Sequence, residues 1–199
     1  MDRFQRGANA FAELCRVMAR LRAPDGCPWD QEQTFESLKP YLLEEAYETI
    51  EAIDSGDRDD HCEELGDLLL QIVFQAEIAQ ETSFDIEAVA QGITKKLVTR
   101  HPHVFGDADA QTDAKAVAQT WEEIKAKEKK HRKSILEGIP QGLPALLKAY
   151  RTGEKAAGVG FDWPNAEGPK AKLEEEWAEL REAIDAESPE RIKDEMGDV

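Results

Sequence analysis

Residues 41–54, YLLEEAYETIEAID, combine helical spacing with an excess of carboxylates. No Lys or Arg stands among the acidic residues, although like charges one helical turn apart repel by about 0.2–0.5 kcal/mol per pair. Charge that is left uncompensated in this way predicts a bound cation. The acidic residues of the segment are Glu44, Glu45, Glu48, Glu51 and Asp54.

The sharpest spacing is a pair of pairs, Glu45-x-x-Glu48 in this segment and Glu64-x-x-Asp67 in the next. Each pair lies one turn apart on one helix face, so two antiparallel helices can present four carboxylates to one point. Such an all-oxygen set suits Mg²⁺, with Mn²⁺ as the second candidate, because these hard cations prefer carboxylates and keep waters that a substrate can replace.

The other acids of the segment are interpreted differently. Glu51 and Asp54 are assigned to an ordinary solvent-facing stripe, and Glu44 to orienting a ligand or a water. Iron is the rival metal, and a four-helix di-iron protein is the alternative fold. Di-iron bundles usually supply Glu-x-x-His from two helices. The match here, Glu128-x-x-His131 in a lysine-rich run, is typical of a solvated surface.

Helical spacing dominates the chain, and strand alternation is nearly absent. The turn-rich segment 23–35 is predicted to be a structured loop, and Ser83 or Asp85 to cap a helix. In the helix that carries Glu64, the polar stripe is narrow and is predicted to be close to buried, because the rest of that helix is apolar. The stripe is Asp60, Glu64, Asp67 and Gln71. The predicted helices are 4–22, 38–54, 57–79, 85–100, 113–131, 144–157 and 172–185.

An internal repeat relates the two halves of the chain. Shifting the sequence by 131 residues places 44–67 over 175–198 with ten of 24 positions identical, whereas composition alone gives roughly one or two. The paired acids are kept while apolar positions change. The second set of acids is Glu176, Glu179, Glu195 and Asp198. We expect one complete domain over 1–135, and a linker with the first part of an incomplete second copy over 136–199.

Composition excludes several classes of function. The formal net charge of −17 and a pI near 4.7 argue against binding nucleic acid or an anionic membrane. Three separated cysteines form no CxxC, and neither a signal peptide nor a run of membrane-spanning length is seen. These features predict a cytoplasmic protein.

A metal with free positions and no nearby nucleophilic side chain fits hydrolysis of a phosphate anhydride. Lys96 and Arg100 lie on one face of a predicted helix, where they can contact phosphate or simply complement the helix dipole. Trp29 and Trp121 can stack on a base, although a single Trp more often belongs to a core.

At these residues the chain resembles a known family. Glu44-Glu45-x-x-Glu48 followed by Glu64-x-x-Asp67 is similar to the EExxE…ExxD signature of MazG-type nucleoside triphosphate pyrophosphohydrolases. The similarity continues in order through CPWDQEQTFESL, RHPHVF and WEEIK, and so covers most of the chain. Two tandem copies are also the layout of MazG.

The resemblance implies an all-α MazG-like bundle that forms homodimers and cleaves nucleoside triphosphates to nucleoside monophosphate and pyrophosphate with Mg²⁺. It implies four metal ligands, two phosphate contacts and a tryptophan near the nucleotide. In that order these are Glu45, Glu48, Glu64 and Asp67; Lys96 and Arg100; and Trp121.

Two departures from the family pattern shape the alternatives. Thr99 stands where the family's KxxRR motif often has its first Arg, which favours a non-catalytic dimerisation or nucleotide-sensing module with the chemistry elsewhere. The second copy has no KxxRR segment or following Trp within these residues, which predicts a chain cut inside its second domain.

Overall fold

The computed structural model describes residues 2–80, 82–106, 113–128 and 134–199, and all regular structure in this part of the chain is helical. The all-α prediction is confirmed. The chain forms two compact units, 1–110 and 111–199. The first contains α1 (Arg3–Arg22), α2 (Pro28–Glu32), α3 (Phe35–Ser55), α4 (Arg58–Gln80), α5 (Ile86–Arg100) and α6 (Pro102–Phe105). The second contains α7 (Ala114–Glu128), α8 (Ala145–Ala157), α9 (Glu167–Asp185) and α10 (Pro189–Asp198). The predicted domain boundary near residue 135 stays a prediction.

Helix α4 is the centre of the first unit. It packs against α1, α3 and α5, and its apolar half supplies Val73 and Phe74 to a core that also holds Met18 and Leu38. Burying an apolar side chain of this size contributes about 1.5–3 kcal/mol each. The core therefore fixes the middle of α4 against α1 and α3, and with it the direction of the acidic N-terminal half of α4.

The helix ends follow the sequence signals closely. The Asp85 side chain accepts a hydrogen bond from the Ala88 backbone N–H at 2.8 Å and so caps α5. Thr34 and Ser37 form a reciprocal capping box at the start of α3. Gly56 ends α3 in the left-handed conformation with φ 75°, which a residue without Cβ adopts at little cost. A short turn then leads directly into α4.

Three element predictions need correction. The segment predicted to be a loop contains α2, which begins at Pro28. The Arg22 guanidinium holds α2 and the residue after it against α1, because it donates to the backbone carbonyls of Asp30 and Gln33. The break predicted at residue 101 is followed by the single-turn helix α6, which again begins at a proline. Helix α9 starts at residue 167, earlier than its acidic stretch indicated.

The second unit is built around a helical pair. Helices α9 and α10 pack against each other, with Leu180 and Ala183 buried. Helix α7 is described as far as Glu128. The rest of the predicted helix, and with it His131 of the Glu-x-x-His match, lies outside the described residues. Among the helices described, none has both the length and the apolarity that crossing a bilayer requires.

One apolar face of α3 lies outside this core. Leu43, Tyr47, Ile50 and Ile53 share an arc of the helix, and each is at least half exposed. The buried positions of α3 are instead Leu38 and two small residues, because α3 approaches α4 closely along its length. The small residues are Thr49 and Ala52.

Candidate metal centre

The α3–α4 hairpin positions the acidic residues. Its register is fixed by Thr49, a buried side chain whose hydroxyl donates to the backbone carbonyl of Glu45 at 2.7 Å and lies 3.4 Å from the carbonyl oxygen of Glu64. The two helices run antiparallel at this point because a short turn joins them. Glu45 and Glu64 are thereby brought to the same level of the hairpin.

Three carboxylates converge there. One oxygen from each of Glu45, Glu48 and Glu64 lies within 4.8 Å of the other two, and we call these residues the first acid cluster. Glu45 and Glu64 are half-buried and Glu48 is exposed. Three carboxylate oxygens at this spacing fit a hard divalent cation that keeps part of its water shell, so the donor set suits Mg²⁺ or Mn²⁺.

Desolvation and mutual repulsion raise the pKa of two acids of the first acid cluster. Partial desolvation raises the pKa of Glu45 above its usual value, and the neighbouring charges of Asp67, Glu48, Glu64 and Glu44 raise it further. The pKa of Glu64 is raised in the same way, by desolvation and then by four acidic neighbours. A divalent cation relieves repulsion of this kind.

The remaining acids lie around this group. Asp67 is not one of the three convergent residues, but of the neighbouring charges it raises the pKa of Glu45 most. The stripe on α4 was predicted to be close to buried. Its burial is graded instead: Asp60 is exposed, Glu64 and Asp67 are half-buried, and Gln71 is buried, because only the C-terminal half of α4 lies under α1.

A second cluster has the same spacing in the second unit. Oxygens of Glu176, Glu179 and Glu195 also lie within 4.8 Å of one another, and these residues form the second acid cluster. They are the equivalents of the first cluster under the shift of 131 residues. Asp198, the equivalent of Asp67, is exposed.

Two basic side chains pair with acids of the second acid cluster. The Lys172 ammonium lies 2.5 Å from a carboxylate oxygen of Glu176 and 2.9 Å from one of Glu175. Arg191 lies 3.9 Å from Glu195. The prediction of the second set of acids did not include Arg191, although its position four residues before Glu195 on one helix is the spacing of an ion pair.

The predicted substrate-binding residues are distributed over both units. Helix α5 packs against α4 and carries Lys96, which is exposed, and Arg100, which is buried. Trp29 on α2 is half exposed, and its ring lies 6.0 Å from that of Tyr41 and 6.4 Å from that of Phe74. Trp121 lies on α7 of the second unit and is half-buried.

Comparison with known proteins identifies the family. Residues 33–105 match the family model described as the MazG nucleotide pyrophosphohydrolase domain. The chain is 50% identical over 191 residues to "Nucleoside triphosphate pyrophosphohydrolase/pyrophosphatase MazG" of Thermotoga maritima, covering 95% of this chain and 72% of that protein.

Two further relatives carry the same description. The chain is 43% identical over 199 residues to the nucleoside triphosphate pyrophosphohydrolase of Escherichia coli K12, covering 96% of this chain and 74% of that protein. It is 41% identical over 161 residues to the nucleoside triphosphate pyrophosphohydrolase of Mycobacterium tuberculosis, covering 79% of this chain and 47% of that protein. The helical fold, the convergent acids and these similarities together show that the chain belongs to the MazG family of nucleotide pyrophosphohydrolases.

Proposed function

We propose that the chain hydrolyses nucleoside triphosphates to nucleoside monophosphate and pyrophosphate, with Mg²⁺ held at the first acid cluster. The observation that carries the proposal is the convergence of Glu45, Glu48 and Glu64 in a protein of this family. Mn²⁺ fits the same oxygen ligands. The relatives' printed names describe nucleoside triphosphate pyrophosphohydrolases, which supports the same substrate class here.

The proposed roles follow from charge and position. Glu45, Glu48, Glu64 and Asp67 would hold the cation, which would supply positive charge to the triphosphate and lower the pKa of a water. A water attacks the α-phosphorus, its proton passes to Glu44, and the bond from the α-phosphorus to the bridging oxygen breaks. Pyrophosphate leaves with that oxygen. Two bases of α5, Lys96 and Arg100, stabilise its charge.

Product analysis tests this reaction. The 199-residue chain is incubated with each common nucleoside triphosphate and deoxynucleoside triphosphate, with and without Mg²⁺. The proposal requires metal-dependent release of monophosphate and pyrophosphate in equal amounts. Release of diphosphate and orthophosphate would show cleavage at the wrong bond and would overturn it.

A second candidate is a non-catalytic nucleotide-sensing or dimerisation module. Thr99 favours it, because the family motif often places a cation at that position. The same experiment separates the two candidates. Mg²⁺-dependent nucleotide binding without turnover supports the module and contradicts hydrolysis at the first acid cluster.

We further propose that two copies of the chain pair through the exposed apolar face of α3. Leu43, Tyr47, Ile50 and Ile53 are all at least half exposed there, and contiguous apolar surface of this kind marks interaction sites. Light scattering should show a dimer that Ile50→Lys dissociates, whereas Glu51→Lys on the neighbouring polar face leaves it intact. A monomeric wild-type chain would contradict the proposal.

The proposed location is the cytoplasm. Cys15, Cys27 and Cys62 are free thiols, and unpaired cysteines persist where the medium is reducing. The net charge of −17 also supports a protein without a nucleic-acid partner.

A further inference from the structure

The side-chain oxygen of Gln71 is a buried acceptor that lacks a donor. Gln71 is 6% exposed, and its Oε1 makes no hydrogen bond within the part of the chain that the structure describes. Leaving a buried acceptor unsatisfied destabilises the folded chain. Two of its neighbours on α4, Val73 and Phe74, are buried apolar residues. A hydrophobic residue would fit this site better, unless a ligand supplies the donor.

The position of Gln71 on α4 relates it to the first acid cluster. It follows Asp67 by one turn on the same face and lies about 6 Å further along the helix axis. Asp67 in turn faces Glu45, whose pKa it raises. Gln71 is therefore the next polar position along α4 after the acids.

The register of the hairpin places aromatic rings beyond Gln71. Counting along the antiparallel pair from the contact of Thr49 with Glu64 sets Gln71 opposite the stretch that contains Tyr41. The Trp29 ring packs edge-on against Tyr41, with ring centroids 6.0 Å apart, and against Phe74, with centroids 6.4 Å apart. Phe74 lies one turn after Gln71. Trp29 is 50% exposed and Tyr41 38%, so an aromatic surface is open to solvent on this side.

Acids, amide and aromatic rings thus follow one another along one side of the hairpin. From Asp67 to Phe74 the helix rises about 10 Å, with Gln71 between them. This order matches the order of groups in a nucleotide: phosphates for the acid end, a base for the aromatic end, and a sugar between them.

We propose that Gln71 Oε1 accepts a hydrogen bond from the nucleoside part of the substrate and thereby contributes to nucleotide selectivity. The inference rests on the proposed function, since it places the triphosphate at the first acid cluster. The donor is either a sugar hydroxyl or an exocyclic amino group of the base, which share the chemistry that an amide oxygen recognises. The bond satisfies the acceptor only when the nucleotide is present.

Gln71→Met tests the proposal, because it keeps the length of the side chain and removes the acceptor. The ratios of kcat/KM are measured for ATP against 2′,3′-dideoxy-ATP and for ATP against purine riboside triphosphate, which lacks the amino group. Wild type should prefer ATP in one of the two pairs by about 10-fold, the equivalent of one hydrogen bond. Gln71→Met should bring that ratio close to one, and the affected pair identifies the donor.

Gln75→Met is the matched control. Gln75 lies one turn further along α4, and its amide donates to the backbone carbonyl of Gln71 at 3.2 Å, so its loss should leave both ratios unchanged. If Gln71→Met also leaves both ratios unchanged, Gln71 does not contact the nucleoside and the proposal is wrong.

Calorimetric binding of a non-hydrolysable α,β-methylene ATP with Mg²⁺ separates this proposal from the proposed function. Suppose that wild type binds the nucleotide but does not hydrolyse ATP. If Gln71→Met then binds about 10-fold more weakly than wild type, the Gln71 contact is supported and hydrolysis is rejected. Equal binding by wild type and Gln71→Met would reject the contact whether or not hydrolysis occurs.

Discussion

The two acid clusters have the same ligand spacing and different neighbours. Under the shift of 131 residues, Lys172 of the second unit corresponds to Tyr41 of the first, and Arg191 corresponds to Asp60. Where the first acid cluster has a neutral ring and a carboxylate, the second has two cations that pair with its acids.

This difference appears in the acids themselves. Every neighbouring charge that shifts the pKa of Glu45 or Glu64 raises it. For Glu195, burial and acidic neighbours raise the pKa, but Arg191 lowers it in part. The two clusters therefore differ in the charges around their acids although their ligand spacing is the same. We expect the first acid cluster to bind a divalent cation more tightly than the second.

The largest expected effect comes from moving the cations into the first acid cluster. Tyr41→Lys with Asp60→Arg should weaken Mn²⁺ binding there by on the order of 100-fold, since each added charge opposes a divalent ion by more than about 1 kcal/mol even in water. Paramagnetic resonance titration measures free Mn²⁺, with Glu179→Gln and Glu195→Gln silencing the second cluster. Tyr41→Phe with Asp60→Asn is the control, because it removes the original polar groups without adding a cation. An unchanged affinity would show that the cations do not explain the difference.

Removing the cations from the second acid cluster is the reciprocal change, and it should make that cluster bind a divalent cation more tightly. Lys172→Tyr with Arg191→Asp should strengthen Mn²⁺ binding at the second acid cluster by about 10-fold, because the two cations that pair with its acids are removed. The titration uses a background in which Glu48→Gln and Glu64→Gln silence the first cluster. Weaker binding in the variant would mean that Lys172 and Arg191 support the site instead of competing for its acids.

The raised pKa values predict a dependence of stability on pH. Glu64 binds its proton more tightly in the folded chain, so its contribution is fully present below the ordinary value of 4.5 and is lost as pH rises through the raised pKa. Without metal, wild type should therefore lose stability relative to Glu64→Gln as pH rises from 4.5. Thermal unfolding measures this, and Mg²⁺ should reverse the loss because it binds the ionised acids.

The same pH series distinguishes the two clusters. Wild type compared with Glu195→Gln should show a smaller pH-dependent loss, because Arg191 offsets part of the repulsion on Glu195. Equal losses for the two comparisons would indicate that the clusters are electrostatically alike.

The smallest effect concerns the turn between the paired helices. Gly56 has φ 75°, and its equivalent in the second unit, Glu187, has φ 50°. A side chain in the left-handed region costs about 1 kcal/mol. Gly56→Ala should therefore lower, and Glu187→Gly raise, the free energy of unfolding in urea by about that amount. Gly92→Ala is the control, since a Cβ there meets no atom within 4 Å in the middle of a helix and should stabilise. A stabilising Gly56→Ala would contradict this account of the turn.

Most of the fold could be predicted from local signals. The helix containing Glu45 and Glu48 and the cap at Asp85 follow from periodicity and capping residues, which act within one or two turns. Helix α2 was missed because its five residues are held by a tertiary contact, the hydrogen bonds from Arg22. Contacts of this kind leave no periodic signal.

The candidate site was predictable in part. The spacing of its acids places each pair on one helix face, and the hairpin then brings Glu45, Glu48 and Glu64 together. The burial of Gln71 follows from the narrow polar stripe on α4, but its lack of a donor could not be predicted, because that depends on which groups of the neighbouring helices come within hydrogen-bonding distance. The pairing of Arg191 with Glu195 was visible in their spacing, but its meaning required the comparison with Asp60.

The most direct test of the central claim is Mg²⁺-dependent release of nucleoside monophosphate by Glu64→Gln and by Glu195→Gln, each compared with wild type. If hydrolysis occurs at the first acid cluster, Glu64→Gln should lose at least about 100-fold in kcat/KM with its helical circular dichroism unchanged, because one metal ligand is lost from the reacting centre. Glu195→Gln should retain activity near that of wild type. Unchanged turnover in Glu64→Gln would contradict the assignment of hydrolysis to the first acid cluster.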